Sequence, residues 1–423
     1  MDEHGLETLL AVALAAALAP IIAAALPKSR VPQVVILILF GILIGPHGLG
    51  FADTGSIPLL SNIGLGFLFL LAGYELQPRL LRQRPGRLAI YGWVMSAVLS
   101  IAVVAGLAAA GQVHDFVPIA LALTTTALGT LLPILGDNGM LNGRFGQHVL
   151  AAGAVGELFP IIAISLFLTK RNQFVAIGSL LAVGVGALIL AALPRLFGDA
   201  RLRRVIEQGR RATAQTTLRI SIVLLLALLV AAERFGLDVV LGAMLAGMVL
   251  RSWTRKIGVD VGPLEDKLDA VGYGLFIPIF FVVSGMTLDV AGILRDPLRM
   301  VAFLVLLLIV RGLPSLLIYR RALPMPQRLE MIFITATTMP LLIALAEIGQ
   351  QDGVMLPANA AAMVGAGVLS VLIYPSIAAA LASKYRPQPA ERSAPELAAD
   401  GPLAADGPLA AEGPLAEGDM TGG

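Results

Sequence analysis

The stretch LALTTTALGTLLP, residues 121–133, decides how this chain is read. Three consecutive threonines and a glycine interrupt a run otherwise apolar enough to lie in a bilayer. A second stretch, FITATTMPLLIAL at 333–345, repeats the pattern in the other half of the chain, with Pro340 beside its threonines. Helices interrupted in this way expose backbone carbonyls and helix ends, which are tolerated at membrane depth only where they line a protein cavity. For either stretch alone, the plain reading is a threonine bonded back to its own helix and a proline that kinks it. The pair, one in each half, points instead to the binding site of an inverted-repeat transporter. Thr125, Thr126, Thr337 and Thr338 are the residues expected to line it.

Composition sets the frame for these two stretches. Hydrophobic residues make up 57% of the 423, charged residues only 14%, and mean hydropathy is +0.86. Soluble proteins carry about 25% charged residues, so the chain reads as an all-α polytopic membrane protein whose apolar surface faces lipid. Candidate spans fall at 6–26, 31–46, 57–76, 86–111, 116–136, 145–169, 173–197, 216–235, 237–251, 268–288, 297–320, 328–349 and 356–382, thirteen in all. The runs 31–46 and 237–251 are short, which leaves room for a tilted or re-entrant segment. The acidic start MDEHG and the absence of a small-residue cleavage site after the first run predict a retained span, not a signal peptide.

Loop charge sets the orientation. Alternate connections hold Arg79, Arg82, Arg84 and Arg87, then the run Arg201, Arg203, Arg204, Arg210 and Arg211, then Arg320, Arg321 and Arg328. The opposite connections hold only Lys170, Arg171, Arg234, Arg295 and Arg299. By the positive-inside rule the N-terminus is expected outside and the C-terminus in the cytoplasm, in a plasma-membrane protein with an odd number of spans. Residues 198–215, GDARLRRVIEQGRRATAQ, are expected to form a short surface helix against anionic lipid. Residues 1–385 form the predicted membrane domain, and 386–423, rich in Ala, Gly, Pro and acid, a disordered tail. There is no cysteine, hence no disulfide or thiolate metal site.

Ionisable groups inside spans are functional candidates by default. Glu157 sits midway along AAGAVGELFPIIAISLFLTK, residues 151–170, and Arg311 lies as deep in FLVLLLIVRGLPSLLIY. Burial favours the neutral carboxyl and a nearby cation the ionised one, so Glu157 is read as a group that accepts either a proton or a dehydrated Na+ or K+. Arg311 keeps its proton and is read as the fixed electrostatic partner. Glu75, at the end of NIGLGFLFLLAGYELQPRLLRQ, is read as structural or as the lining of an access funnel. Asp289, Glu233 and Glu347 lie near span ends and Arg219 at a span start, where solvation is available. His148, nine residues before Glu157, faces the other side of the helix, which argues against a shared metal. No phosphate-cradling Gly-Lys-Ser/Thr loop, HExxH or nucleophile elbow is present, so no enzyme activity, cofactor or nucleic-acid partner is expected.

GILIGPHGLGF at 41–51, GLGFLFLLAGYELQPRLLR, LTTTALGTLLPILGDNGMLNGRFGQHVL leading into Glu157, LGAMLAGMVL and LDAVGYGLFIPIFFVVSGMTLD together resemble Kef-type members of the monovalent cation:proton antiporter-2 family, over roughly residues 5 to 385. The resemblance implies the sodium/proton antiporter fold: about thirteen helices in two inverted-topology repeats, with two broken helices crossing near the midplane. It also implies a homodimer with a moving core, placed at about 57–169 and 268–349, and a scaffold from the remainder. The family's ion-binding acid, usually aspartate, corresponds to Glu157, and its basic residue in the later core span to Arg311. The preceding position, commonly Asp, Asn or Gln, is here Gly156, which points to one protonatable site and electroneutral exchange of Na+ or K+ for H+. The arginine, where relatives that transport electrogenically often have lysine, points the same way. Two rival readings are a gated K+ efflux protein of channel type and a non-transporting scaffold that recruits partners through its acidic tail.

Overall fold

The computed structural model describes residues 3–385 apart from 26–31, 54, 56, 77, 114, 138, 142, 169–171, 198–214 and 258–261. The expected surface helix, apart from Gln215, and the acidic tail lie outside the described residues. The described residues form helices joined by turns and loops, with no strand among them. In chain order the helices are α1 (Glu3–Ala25), α2 (Gln33–Ile44), α3 (Pro58–Glu75), α4 (Pro78–Arg82), α5 (Arg84–Ala109), α6 (Phe116–Ala122), α7 (Leu128–Asp137), α8 (Gly143–Phe167), α9 (Gln173–Phe197), α10 (Thr216–Arg234) and α11 (Val239–Ile257). They continue with α12 (Gly262–Val271), α13 (Ile277–Met286), α14 (Val290–Arg295), α15 (Pro297–Leu307), α16 (Pro314–Ile318), α17 (Met325–Ala336), α18 (Pro340–Gln351) and α19 (Pro357–Tyr385).

Ten stretches of the described residues are long and apolar enough to cross a membrane. The other three of the thirteen expected spans are the short α2, the interrupted pair α6 and α7, and α11, whose last turns carry Arg251, Arg255 and Lys256. Burial orders them. Of its most apolar window, 83% is buried in the stretch Met325–Gln351 and 72% in Gly143–Phe167, against 22% for both Gly5–Ala25 and Gln173–Leu193. The centre of the molecule is therefore α8 with α17 and α18, and α1 and α9 present apolar faces outward, as lipid-facing helices do.

Two devices shape this packing. Single π-helical turns at Gly272–Phe276 and Leu308–Gly312 join α12 to α13 and α15 to α16, so each pair runs as one span with a local offset. Glycines set the close approaches. A Cβ on Gly41 would strike the Val282 carbonyl and one on Gly285 the Ile38 carbonyl, so α2 and α13 meet backbone to backbone. The glycine-rich 41–51 motif thus serves helix contact, the small-residue packing typical of membrane helices. Gly73 and Gly247 bring α3 and α11 together in the same manner.

The short helices α4 and α14 were not anticipated. Asp289, read from sequence as structural, caps α14 by accepting from the Gly292 N–H at 2.8 Å. Asp296 caps α15 through the Arg299 N–H at 3.2 Å and pairs with the Arg299 guanidinium at 3.1 Å.

Candidate ion-binding site at the helix crossing

Threonine chemistry makes the first break. The hydroxyls of Thr124 and Thr125 donate to the carbonyls of Leu121 and Ala122, each at 2.7 Å, and α6 ends there. Proline makes the second. The residue before a proline is driven out of the helical region, and Met339 has φ −157° and ψ −57°. Pro340 then opens α18, where a missing N–H matters little.

The two breaks are joined directly. The Ala127 N–H donates to the Thr337 carbonyl at 3.0 Å, the Thr125 and Thr338 hydroxyls lie 2.8 Å apart, and the Thr126 hydroxyl donates to the Thr335 carbonyl at 2.6 Å. Thr125, Thr126, Thr337 and Thr338 are all buried. The Thr337 hydroxyl itself turns back to the Phe333 carbonyl at 2.8 Å. A residue that the sequence reading missed completes the joint: Ser370 of α19 accepts the Thr338 N–H at 3.1 Å and donates to the Thr338 carbonyl at 2.7 Å. Ser370→Ala strands both groups in a buried site, and thermal unfolding in detergent is expected to show a loss of about 2 kcal/mol.

Glu157 reaches this crossing from α8 with 5% of its surface exposed. Its Oε1 accepts from the N–H groups of Leu128 at 2.7 Å and Gly129 at 3.3 Å, the first two residues of α7. A helix N-terminus offers unpaired N–H groups and the positive end of the dipole, which together hold an anion. The break in the chain therefore creates the anion-binding end that Glu157 occupies. Its other oxygen, Oε2, is enclosed and has no hydrogen-bond partner among the described residues. Among the described residues no group of three His, Asp or Glu side chains is placed to hold a metal, and His148 bonds the Arg144 carbonyl through Nδ1 at 2.7 Å.

Arg311 stands in the π-helical turn between α15 and α16, with 3% exposed. The structure brings it to the helix of Glu157 but not to the carboxylate. Its Nε donates to the Thr126 hydroxyl at 2.9 Å and its Nη2 to the Ala152 carbonyl at 3.2 Å; no ion pair within 4.0 Å joins it to Glu157. The guanidinium lies against Gly156, where an added Cβ would come 2.6 Å from Nη2 and 2.6 Å from the Thr126 Cβ. Gly156 thus has a spatial reason: the arginine and the first break fill the place of a side chain.

Glu75, at the far end of α3, borders a cavity of about 200 Å³ with Arg251, Leu128 and Ala154. Glu347 accepts from Gln351 Nε2 at 3.2 Å, and Glu233 and Arg219 are exposed.

Residues 13–384 match the family described as sodium/hydrogen exchanger, transmembrane. The chain belongs to the sodium/hydrogen exchanger family. Within it, the Na(+)/H(+) antiporter NhaS4 of Synechocystis is 30% identical over 325 residues, 70% of this chain and 77% of that one. The glutathione-regulated potassium-efflux system protein KefC of Escherichia coli is 26% identical over 348 residues, 78% of this chain and 52% of its own, in keeping with a Kef-type member of the family. The chain spans 58% of a Bacillus subtilis relative, so it matches little more than half of these longer proteins. The structure of the sodium proton antiporter MjNhaP1 from Methanocaldococcus jannaschii superposes with a TM-score of 0.64 at 18% identity, covering 89% of this chain and 99% of that one. The likeness shows a shared fold, and the family is one of multi-pass membrane transporters.

Proposed function

We propose that the chain is a secondary antiporter that exchanges a monovalent cation, Na+ or K+, for H+ by alternating access, with Glu157 as the carboxylate for which the two compete. One observation carries the reading: at the crossing, Glu157 has Oε1 anchored on α7 and Oε2 enclosed without a partner among the described residues. An anchored acid with a spare oxygen binds one proton or one cation. Competition for it is exchange. Thr125, Thr126, Thr337 and Thr338 supply hydroxyl and carbonyl oxygens around the crossing, the ligand type that suits hard cations. Arg311 acts on the site through Thr126 and the carbonyl of Ala152, offsetting the negative ends of groups that the breaks leave exposed. With glycine at 156 there is one acid at this position, and exchange is one for one and electroneutral.

The similarity to NhaS4, named for Na+ and H+, and to KefC, named for potassium efflux, supports both cations as candidates. The protein sits in the plasma membrane as a homodimer with its C-terminus in the cytoplasm. Purified protein in proteoliposomes loaded with a pH dye tests the function. Addition of Na+ or K+ across a cation series is expected to give saturable proton movement that a clamp on membrane potential leaves unchanged. Cation flux without coupled proton movement would instead identify the gated efflux type.

A further inference from the structure

Among the described residues Glu75 has an enclosed Oε2 without a hydrogen-bond partner, as Glu157 does, although it lies on a different helix and outside the crossing. The cavity it borders runs to α7 and α8, where Leu128, Leu132 and Ala154 line it. Leu128 is the residue whose N–H anchors Glu157, and Ala154 precedes Glu157 by three positions on α8, so the cavity ends against the wall that holds the transport carboxylate.

Arg251 of α11 shares the cavity and is the obvious counter-ion for Glu75, yet no ion pair within 4.0 Å joins them. Its guanidinium is engaged elsewhere: Nη1 donates to the Tyr74 carbonyl, and the group lies 5.5 Å from the centre of the Tyr74 ring. The remaining walls are largely Leu and Ala, which give an ion nothing in exchange for lost water.

We infer that Glu75 and this cavity form a second, weaker site for a monovalent cation, from which Na+ or K+ passes to Glu157. The inference rests on the antiport reading of Glu157. Glu75 supplies the charge that lets a partly dehydrated ion enter, and Arg251 keeps the site from holding it. An ion pathway needs each stop favourable enough to enter and weak enough to leave. Pairing Glu75 to Arg251 would close the stop, and the hold of Tyr74 on the guanidinium prevents that.

The test is sided transport in oriented proteoliposomes with Glu75→Gln, Glu75→Asp and Glu157→Gln. Glu75→Gln is expected to raise the apparent KM for Na+ and K+ about tenfold when the cation is offered from the side bearing Arg79 and Arg82, equivalent to about 1.4 kcal/mol of binding. Maximal exchange and the KM from the opposite side stay at the wild-type values, and Glu75→Asp recovers most of the affinity. An unchanged KM from the arginine-rich side overturns the inference. So does an equal loss from both sides with lowered thermal stability, which marks Glu75 as structural. If Glu157→Gln still exchanges, the antiport reading itself fails; if it is inactive and Glu75→Gln behaves as wild type, only the second site fails.

Discussion

Glu157→Gln removes exchange by about a thousandfold while leaving the protein folded. The amide is nearly the same shape as the carboxyl, and its oxygen can accept from Leu128 and Gly129 as Oε1 does now. The α7 anchor therefore survives the substitution. What disappears is the charge. A cation about 4 Å from a carboxylate gains roughly 4 kcal/mol at the effective dielectric of a partly solvated protein site, which is about three powers of ten in affinity. The amide also takes no proton in the accessible pH range, so both sides of the competition are lost together. Cation-driven dequenching of a pH dye in proteoliposomes reads the first effect, and thermal unfolding in detergent reads the second, expected within a few degrees of wild type. Exchange that persists at more than about a tenth of the wild-type rate would assign Glu157 to structure alone. Glu157→Asp separates anchoring from charge: one methylene shorter, it reaches α7 or the ion but not both in the present geometry, and partial activity is expected.

The parts of this site that could be read from the chain have local causes. Thr124 and Thr125 end a helix by bonding carbonyls three residues back, and Pro340 ends one by forbidding helix at Met339, so both breaks are written in the stretches that contain them. Glu157 stands out because a carboxylate in an apolar run is costly wherever that run goes. The contacts that give these residues their roles are between helices and leave no local trace. Arg311 and Thr126 are 185 positions apart, and nothing in either span names the other. Sequence depth suggested that Arg311 faces Glu157; the structure sends the guanidinium to Thr126 and Ala152, one turn earlier on α8. Ser370 was passed over because a lone serine in an apolar span reads as bonded to its own helix, which it also is, through Gly367 at 2.8 Å. The π-helical turn that carries Arg311 has no composition signal, although such turns recur at functional sites.

Gly156→Val is the second large effect, and it acts on the frame around the acid. The new Cβ would lie 2.6 Å from Arg311 Nη2, 2.6 Å from the Thr126 Cβ and 2.7 Å from the Thr126 hydroxyl. An arginine tip alone could swing aside, but Thr126 cannot follow. Its N–H is held by the Gly156 carbonyl at 2.9 Å, and its hydroxyl accepts from Arg311 and donates to the Thr335 carbonyl. Relief therefore requires the first break to move away from α8, which pulls Leu128 and its N–H off Glu157. Overpacking of a filled site costs about 1 to 3 kcal/mol, and valine belongs at the upper end because its branches add to the clash. Gly156→Ala offsets up to about 1 kcal/mol of its clash through better helix propensity and is the milder test. Both variants are expected to lower the unfolding temperature, and Gly156→Val to abolish exchange although Glu157 is intact. If the clash with Arg311 is the cause, Arg311→Ala relieves part of it. The double variant Gly156→Val with Arg311→Ala then loses less stability than the two single losses added, by at least about 1 kcal/mol. Strict additivity would mean that the guanidinium does not rest on Gly156, and the explanation for a glycine at that position would go with it.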